Sequence, residues 1–252
     1  MGYKLDTIKM LLKRTNSVFK KQIKTTKINQ KKIKYAQIDK QTPTVIFENG
    51  FGVNMKLWDE VFLEISKTNS VFAYNRKDNR VLKDKIFPSD MVEHLRDVLK
   101  DREIKPPYIL VGHSLGGLNM QYFAKKYPQE VLGVVLVDST HPKGLGDPSL
   151  MPKSRKKIFE HVNRCADEVL NLPDMEDIPM IALIATYESS RNKYPEKLLI
   201  QIDEMKKSME TFPELYPSCK LQRVDSGHFV MYEKPKVVIE AVNEMVEMVR
   251  EN

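Results

Sequence analysis

Tyr108-Ile-Leu-Val-Gly-His-Ser-Leu-Gly-Gly117 joins a short apolar run to the pattern G-x-S-x-G and passes directly into a helical stretch, Leu118 to Lys126. An apolar run of this length ending in glycine reads as a buried strand, and the periodic stretch after it as a helix. A serine at that junction sits on a sharp strand-to-helix turn with its hydroxyl raised above the end of a sheet. Gly112 and Gly116 leave room where a Cβ would collide. The helix that starts here also directs its first N–H groups and its positive dipole end toward the serine, which favours negative charge developing there. Read without its flanks, the motif is only a glycine-rich turn with a capping serine. The strand before it and the helix after it favour a nucleophile, Ser114. His113, in so tight a turn, is expected to point elsewhere and is read as structural.

A serine hydroxyl is a weak nucleophile near neutral pH and needs a base within hydrogen-bond reach, most often histidine. His228 is placed for this, in Val224-Asp-Ser-Gly-His-Phe229, after the last apolar run and before the last helical one. His94 and His161 fall in charged helical stretches, and His141 precedes a proline in an irregular one. Two carboxylates compete to orient the imidazole. Asp138 ends Val134-Val-Leu-Val137, and Glu188 lies just past the run Met180 to Thr186. Asp138 is preferred, because a short carboxylate on a strand end is held more rigidly. Acyl transfer also needs two N–H donors for an oxyanion. The candidates are Leu115, next to the serine, and Phe51 in the glycine-permitted turn Asn49-Gly-Phe-Gly52.

Beyond these motifs the chain alternates strand and helix patterns, which predicts an α/β protein with a mostly parallel sheet covered on both faces. Strands are expected at Lys32 to Ile38, Thr44 to Glu48, Ser70 to Asn75, Tyr108 to Gly112, Leu132 to Asp138, Met180 to Thr186 and Lys220 to Asp225. Helices are expected near 55–67, 89–101, 115–126, 197–211 and 235–250. Pro88, Pro128, Pro195 and Pro235 stand at or beside these boundaries, as the missing donor of proline requires. Residues 139–178 interrupt the alternation with Pro142, Gly144, Gly146, Pro148 and Pro152, then a helical stretch from Arg155 to Leu172. An insertion there is expected to form a cap above the strand ends. The division is a basic amphipathic segment, 1–30, followed by one domain, 31–252.

Hydrophobic residues at 41% and charged residues at 30% suffice for an ordinary folded core. The net charge of +7 is uneven, since residues 1–34 hold +10 and the remainder −3. A mildly acidic body has no footprint for a phosphate backbone, and nucleic-acid binding is not expected. The basic start has two readings: a helix on the body with a solvated lysine face, or an arm making weak contact with a membrane surface through residues 1–34. Lys9, Lys13 and Arg14 interrupt its apolar residues, so a signal peptide is not expected. Cys165 and Cys219 form no disulfide framework or metal motif, and no metal site is expected. A reduced, cytoplasmic location follows, peripheral to a membrane if the arm docks.

Phe47-Glu-Asn-Gly-Phe-Gly52, Ala73-Tyr-Asn-Arg76, Gly112-His-Ser-Leu-Gly-Gly117, Val135-Leu-Val-Asp-Ser-Thr-His-Pro142 and Ser226-Gly-His-Phe229, in this order, resemble the α/β-hydrolase superfamily, in particular its small esterase-like serine hydrolases. The resemblance covers about residues 40 to 250. It implies eight strands, a short helical cap, a Ser-His-acid triad, no cofactor, and a small-molecule ester or acyl substrate. Three departures stand out. Asn49 replaces the histidine that many relatives carry before the oxyanion glycine. Arg76-Lys-Asp-Asn-Arg80 replaces a glycine-containing turn. Ala185-Thr-Tyr-Glu188 replaces the usual Gly-x-x-Asp, and relatives that take their acid from the earlier strand favour Asp138. The remaining alternatives are a C–C or peptide-bond hydrolase on the same fold, or a ligand receptor or interaction module docked by the basic arm.

Overall fold

A computed structural model describes residues 16–28, 30–76, 87–150, 153–175, 178–193 and 196–251. Eight strands form one sheet: β1 (Ile23–Ile28), β2 (Lys31–Ile38), β3 (Thr44–Glu48), β4 (Ser70–Tyr74), β5 (Tyr108–His113), β6 (Val131–Val137), β7 (Met180–Ala185) and β8 (Cys219–Val224), in the order β1-β2-β4-β3-β5-β6-β7-β8. The pairs β1–β2 and β2–β4 are antiparallel, and every other pair is parallel. Every residue of β3, β4, β5 and β7 is buried, which is why these segments read as continuous apolar runs. The two-residue alternation divides them between two cores. Ile46, Leu110, Val134 and Ala182 enter one, and Val45, Ile109, Val135 and Leu183 the other.

The helices described are α1 (Ser17–Gln22), α2 (Asp59–Ile65), α3 (Pro88–Asp101), α4 (Leu115–Lys126), α5 (Lys153–Leu170), α6 (Glu196–Met209), α7 (Phe212–Leu215), α8 (Val230–Glu233) and α9 (Pro235–Glu251). Val92 and Leu95 of α3, Phe123 of α4 and Val169 of α5 share one core. Phe19 of α1, Phe62 of α2 and Val242 of α9 share the other. The sheet is therefore layered between helices, and every connection between parallel strands crosses one face or the other.

Two elements depart from the sequence expectation. Residues 23–28, assigned to a basic segment ending at 30, form the edge strand β1, registered on β2 from Ile23 opposite Ala36 to Ile28 opposite Lys31. Ile-Lys-Thr-Thr-Lys-Ile is rich in β-branched residues, and Gln30, at φ 61°, lies in the turn between the two strands. The part of the expected amphipathic helix before residue 16 lies outside the described residues. The helix expected in a cap is α5, and its Cys165, Ala166 and Val169 are wholly buried in the core shared with α3 and α4. Parallel neighbours β6 and β7 require a long crossover, and α5 supplies it. The loop before α5 is tied to it by Asn163, which accepts from the Leu145 N–H (2.8 Å) and donates to the Gly146 carbonyl (2.9 Å). Among the described residues no helix is long and apolar enough to cross a membrane.

Candidate active site

β5 delivers Ser114 at its carboxyl end, where the chain turns into α4 with φ 54° and ψ −125°. That backbone is rare for a residue with a Cβ, and neighbouring hydrogen bonds hold it. The Ser114 carbonyl accepts the N–H groups of Gly117 (2.9 Å) and Thr140 (3.1 Å). The turn closes because a Cβ at Gly112 would stand 2.6 Å from the Gly117 Cα, and one at Gly116 would strike the Asn49 carbonyl.

Beside this turn, the segments that follow β6 and β8 carry the other two residues of the expected triad. His228 Nε2 lies 3.1 Å from Ser114 Oγ, and His228 Nδ1 lies 2.7 Å from Asp138 Oδ2. Asp138, 1% exposed, follows β6 at φ 45°, with its N–H bonded to the Leu183 carbonyl (2.8 Å). Its second oxygen accepts the Ala185 N–H (3.0 Å) and pairs with Lys206 Nζ. Burial alone would raise its carboxyl pKa; the Lys206 ammonium and the hydrogen bond to His228 outweigh it and hold the group ionised, well below the usual range. Glu188, the alternative acid, is exposed at the start of a short turn. That turn is drawn toward β8 by the Tyr187 N–H on the Ser226 carbonyl (3.1 Å) and the Ser189 N–H on Asp225 (2.9 Å). The carboxylate at His228 is that of Asp138.

A family model described as alpha/beta hydrolase fold matches residues 43–162, which include the elbow. Mouse alpha/beta hydrolase domain-containing protein 10 superposes with a TM-score of 0.63 at 16% identity, covering 90% of this chain and 99% of that one. A thermophilic esterase from Thermogutta terrifontis gives 0.60 at 17% identity, over 90% and 99%. The chain has the α/β-hydrolase fold. A curated relative, uncharacterized protein YqjL of Bacillus subtilis (strain 168), is 30% identical over 129 residues, which is 46% of this chain and 49% of that protein. The chain spans about half the length of the curated relatives it matches.

Within this hydrolase fold the loop Asn49–Gly52 leaves β3 directly against the elbow, since a Cβ at Gly50 would stand 3.1 Å from the Ser114 Cβ. Asn49, in the place of the expected histidine, donates from Nδ2 to the Tyr74 carbonyl (2.6 Å) and so ties the loop to β4. Arg76, buried just after β4, pairs with Glu48 and donates to the carbonyls of Asn49 (2.5 Å) and Gly50 (2.9 Å). Burial pushes its pKa down to about 10, which still leaves it cationic at neutral pH. The Gly50 carbonyl and the Phe51 N–H belong to one trans peptide, so holding the carbonyl toward Arg76 turns that N–H the opposite way. Leu115 is the first residue of α4, and its N–H has no acceptor within the helix.

Sequence reasoning missed three contributors. His113 reads as structural but with no partner in the sequence; its Nε2 bonds the His228 carbonyl (2.8 Å) and the two rings lie 4.5 Å apart. Burial first, then the neighbouring His228, pushes its pKa well down, so His113 is a neutral Nε2–H donor. Arg76 stands out in the sequence only as part of a resembling stretch. Lys206, on α6, carries no sequence signal, because a lysine on an amphipathic helix ordinarily faces water.

Proposed function

We propose that this protein is a serine hydrolase that cleaves small carboxylic esters by acyl transfer. The observation that carries the reading is the continuous chain from Ser114 Oγ through both nitrogens of His228 to a buried, ionised Asp138. In this reading Ser114 Oγ attacks the ester carbonyl while His228 Nε2 takes its proton. Asp138 fixes the tautomer by accepting from Nδ1–H and stabilises the imidazolium. The oxyanion is held by the Phe51 and Leu115 N–H groups, a contribution of about 3 kcal/mol for each good donor. Collapse expels the alkoxide with the proton from His228. Water then attacks the acyl-serine, assisted by the same histidine, and releases the carboxylic acid. A solved esterase shares this fold.

The test is reaction with a fluorophosphonate probe, with the adduct mapped to a peptide. Labelling at Ser114 that is lost in both Ser114→Ala and His228→Ala is expected, together with turnover of short-chain p-nitrophenyl esters. A well-folded wild type that takes up no probe would instead place the protein among binding modules built on the fold.

A further inference from the structure

Lys206 stands where a triad of this kind does not require a cation. It comes from α6, in the connection between β7 and β8, and its ammonium pairs with Asp138 Oδ1, the oxygen not used by His228. Its side chain is only 13% exposed and its partner's is 1% exposed, so both charges have been taken largely out of water. Removing charges from water is costly, and a lysine whose only purpose was solubility would not be held there. Its Nζ also lies 5.2 Å from the centre of the Tyr187 ring, which favours a cation at that spot. Two donors, Ala185 N–H and Lys206 Nζ, thus hold one carboxylate oxygen while His228 holds the other.

We propose that Lys206 is a positioning residue that shares the Asp138 carboxylate with His228, so that His228 remains a neutral base to lower pH than Asp138 alone would allow. The idea rests on the hydrolase reading of Ser114. An undivided carboxylate beside an imidazole favours the imidazolium, and a protonated His228 cannot accept the serine proton. Lys206 opposes that protonation directly, by like-charge repulsion, and indirectly, by neutralising part of Asp138. The other ionisable groups around His228 are already engaged. His113 is neutral and bonded to the His228 carbonyl, and Glu233 accepts the Gly227 N–H (2.7 Å). Asp225 binds Ser189 and faces Lys234, and Glu48 is paired with Arg76. Lys206 and Asp138 form the ion pair that meets the imidazole directly.

The experiment follows kcat/KM for p-nitrophenyl acetate, and the rate of fluorophosphonate labelling, from pH 5 to 9 in wild type, Lys206→Met, Lys206→Gln and Lys206→Arg. His228 is titrated in parallel by NMR through its Cε1 proton. The two neutral variants should move the acid limb and the His228 titration upward by about one pH unit, with the alkaline plateau reduced less than about tenfold, and Lys206→Arg should restore the wild-type midpoint. A lysine that merely anchors α6 would lower rates at every pH without moving the midpoint, and that result overturns the proposal. Lys206→Gln keeps a hydrogen-bond donor, so it reports the charge effect should the methionine variant fold poorly. Should wild-type Ser114 not label at all, the hydrolase reading falls, while the NMR titration still decides whether Lys206 governs His228.

Discussion

Two residues of the candidate triad leave their strands with positive φ, Ser114 at 54° and Asp138 at 45°. Each costs about 1 to 3 kcal/mol of backbone strain, and each is pinned by bonds to the neighbouring strand or turn. The strain is what turns both side chains toward His228 instead of along the sheet. Asp138 serves His228 and Lys206 together, and Asp138→Asn should therefore have two separable effects. The rate should fall about 10³- to 10⁴-fold, because an amide can present its N–H to Nδ1 and favour the wrong tautomer. Stability to urea should also fall by about 3 kcal/mol, because Lys206 loses the anion that justifies its burial. A rate loss with unchanged urea midpoint would show that the ion pair contributes nothing to the fold. The contrast explains what was legible in the residues. Ser114, His228 and Asp138 could be read because glycine spacing and strand ends mark them within a few positions. Lys206 pairs with Asp138 across 68 residues, and no local pattern encodes that meeting.

At the scale of elements, the buried strands and the helices between them were legible because they repeat one rule, apolar runs bounded by glycine and proline. The sheet edge was not, because β1 has only one buried position, Ile28, and carries lysines. Those lysines suit an edge strand: Lys24 and Lys27 on β1 discourage pairing with another chain's strand. β2 beneath it is more apolar, with Ile33, Tyr35 and Ala36 buried. Deleting residues 1–30 should accordingly do more than remove charge. It strips β1 and Phe19, whose ring meets Phe62 edge-on at 5.1 Å, and leaves β2 as an unpaired edge. The expected outcome is a shortened protein that associates in light scattering at micromolar concentration. A monodisperse deletion with unchanged melting temperature would mean that β1 adds nothing to the sheet. For α5 the composition predicts a helix, but an amphipathic pattern cannot say which core its apolar side meets.

For the molecule as a whole, two buried histidines whose pKa is pushed down contribute to the response to acid. His141 is buried with Nδ1 accepting the Lys143 N–H (3.0 Å) and its ring against Phe212, and burial pushes its pKa down to about 4, with Lys143 adding to the effect. His113, buried beneath His228, is pushed down as well. In the unfolded chain a histidine takes up its proton near pH 6.5. Between that pH and the folded value the unfolded state binds more protons, so stability must fall as pH falls through this window. His141 alone contributes on the order of 3 kcal/mol over its range. Asp138 acts at lower pH and in the usual carboxylate sense. Its folded pKa is depressed, so its contribution is fully present above about pH 4 and is lost as pH falls through the folded value. Urea unfolding at pH 7, 5.5 and 4.5 should therefore show a decline that precedes carboxylate titration. His141→Gln, which has no proton to gain, should flatten that slope even though the loss of its ring from Phe212 lowers stability at pH 7. A wild type equally stable at all three pH values would mean that these imidazoles take up their protons as readily in the folded protein as in the unfolded chain, and that burial does not depress their pKa values.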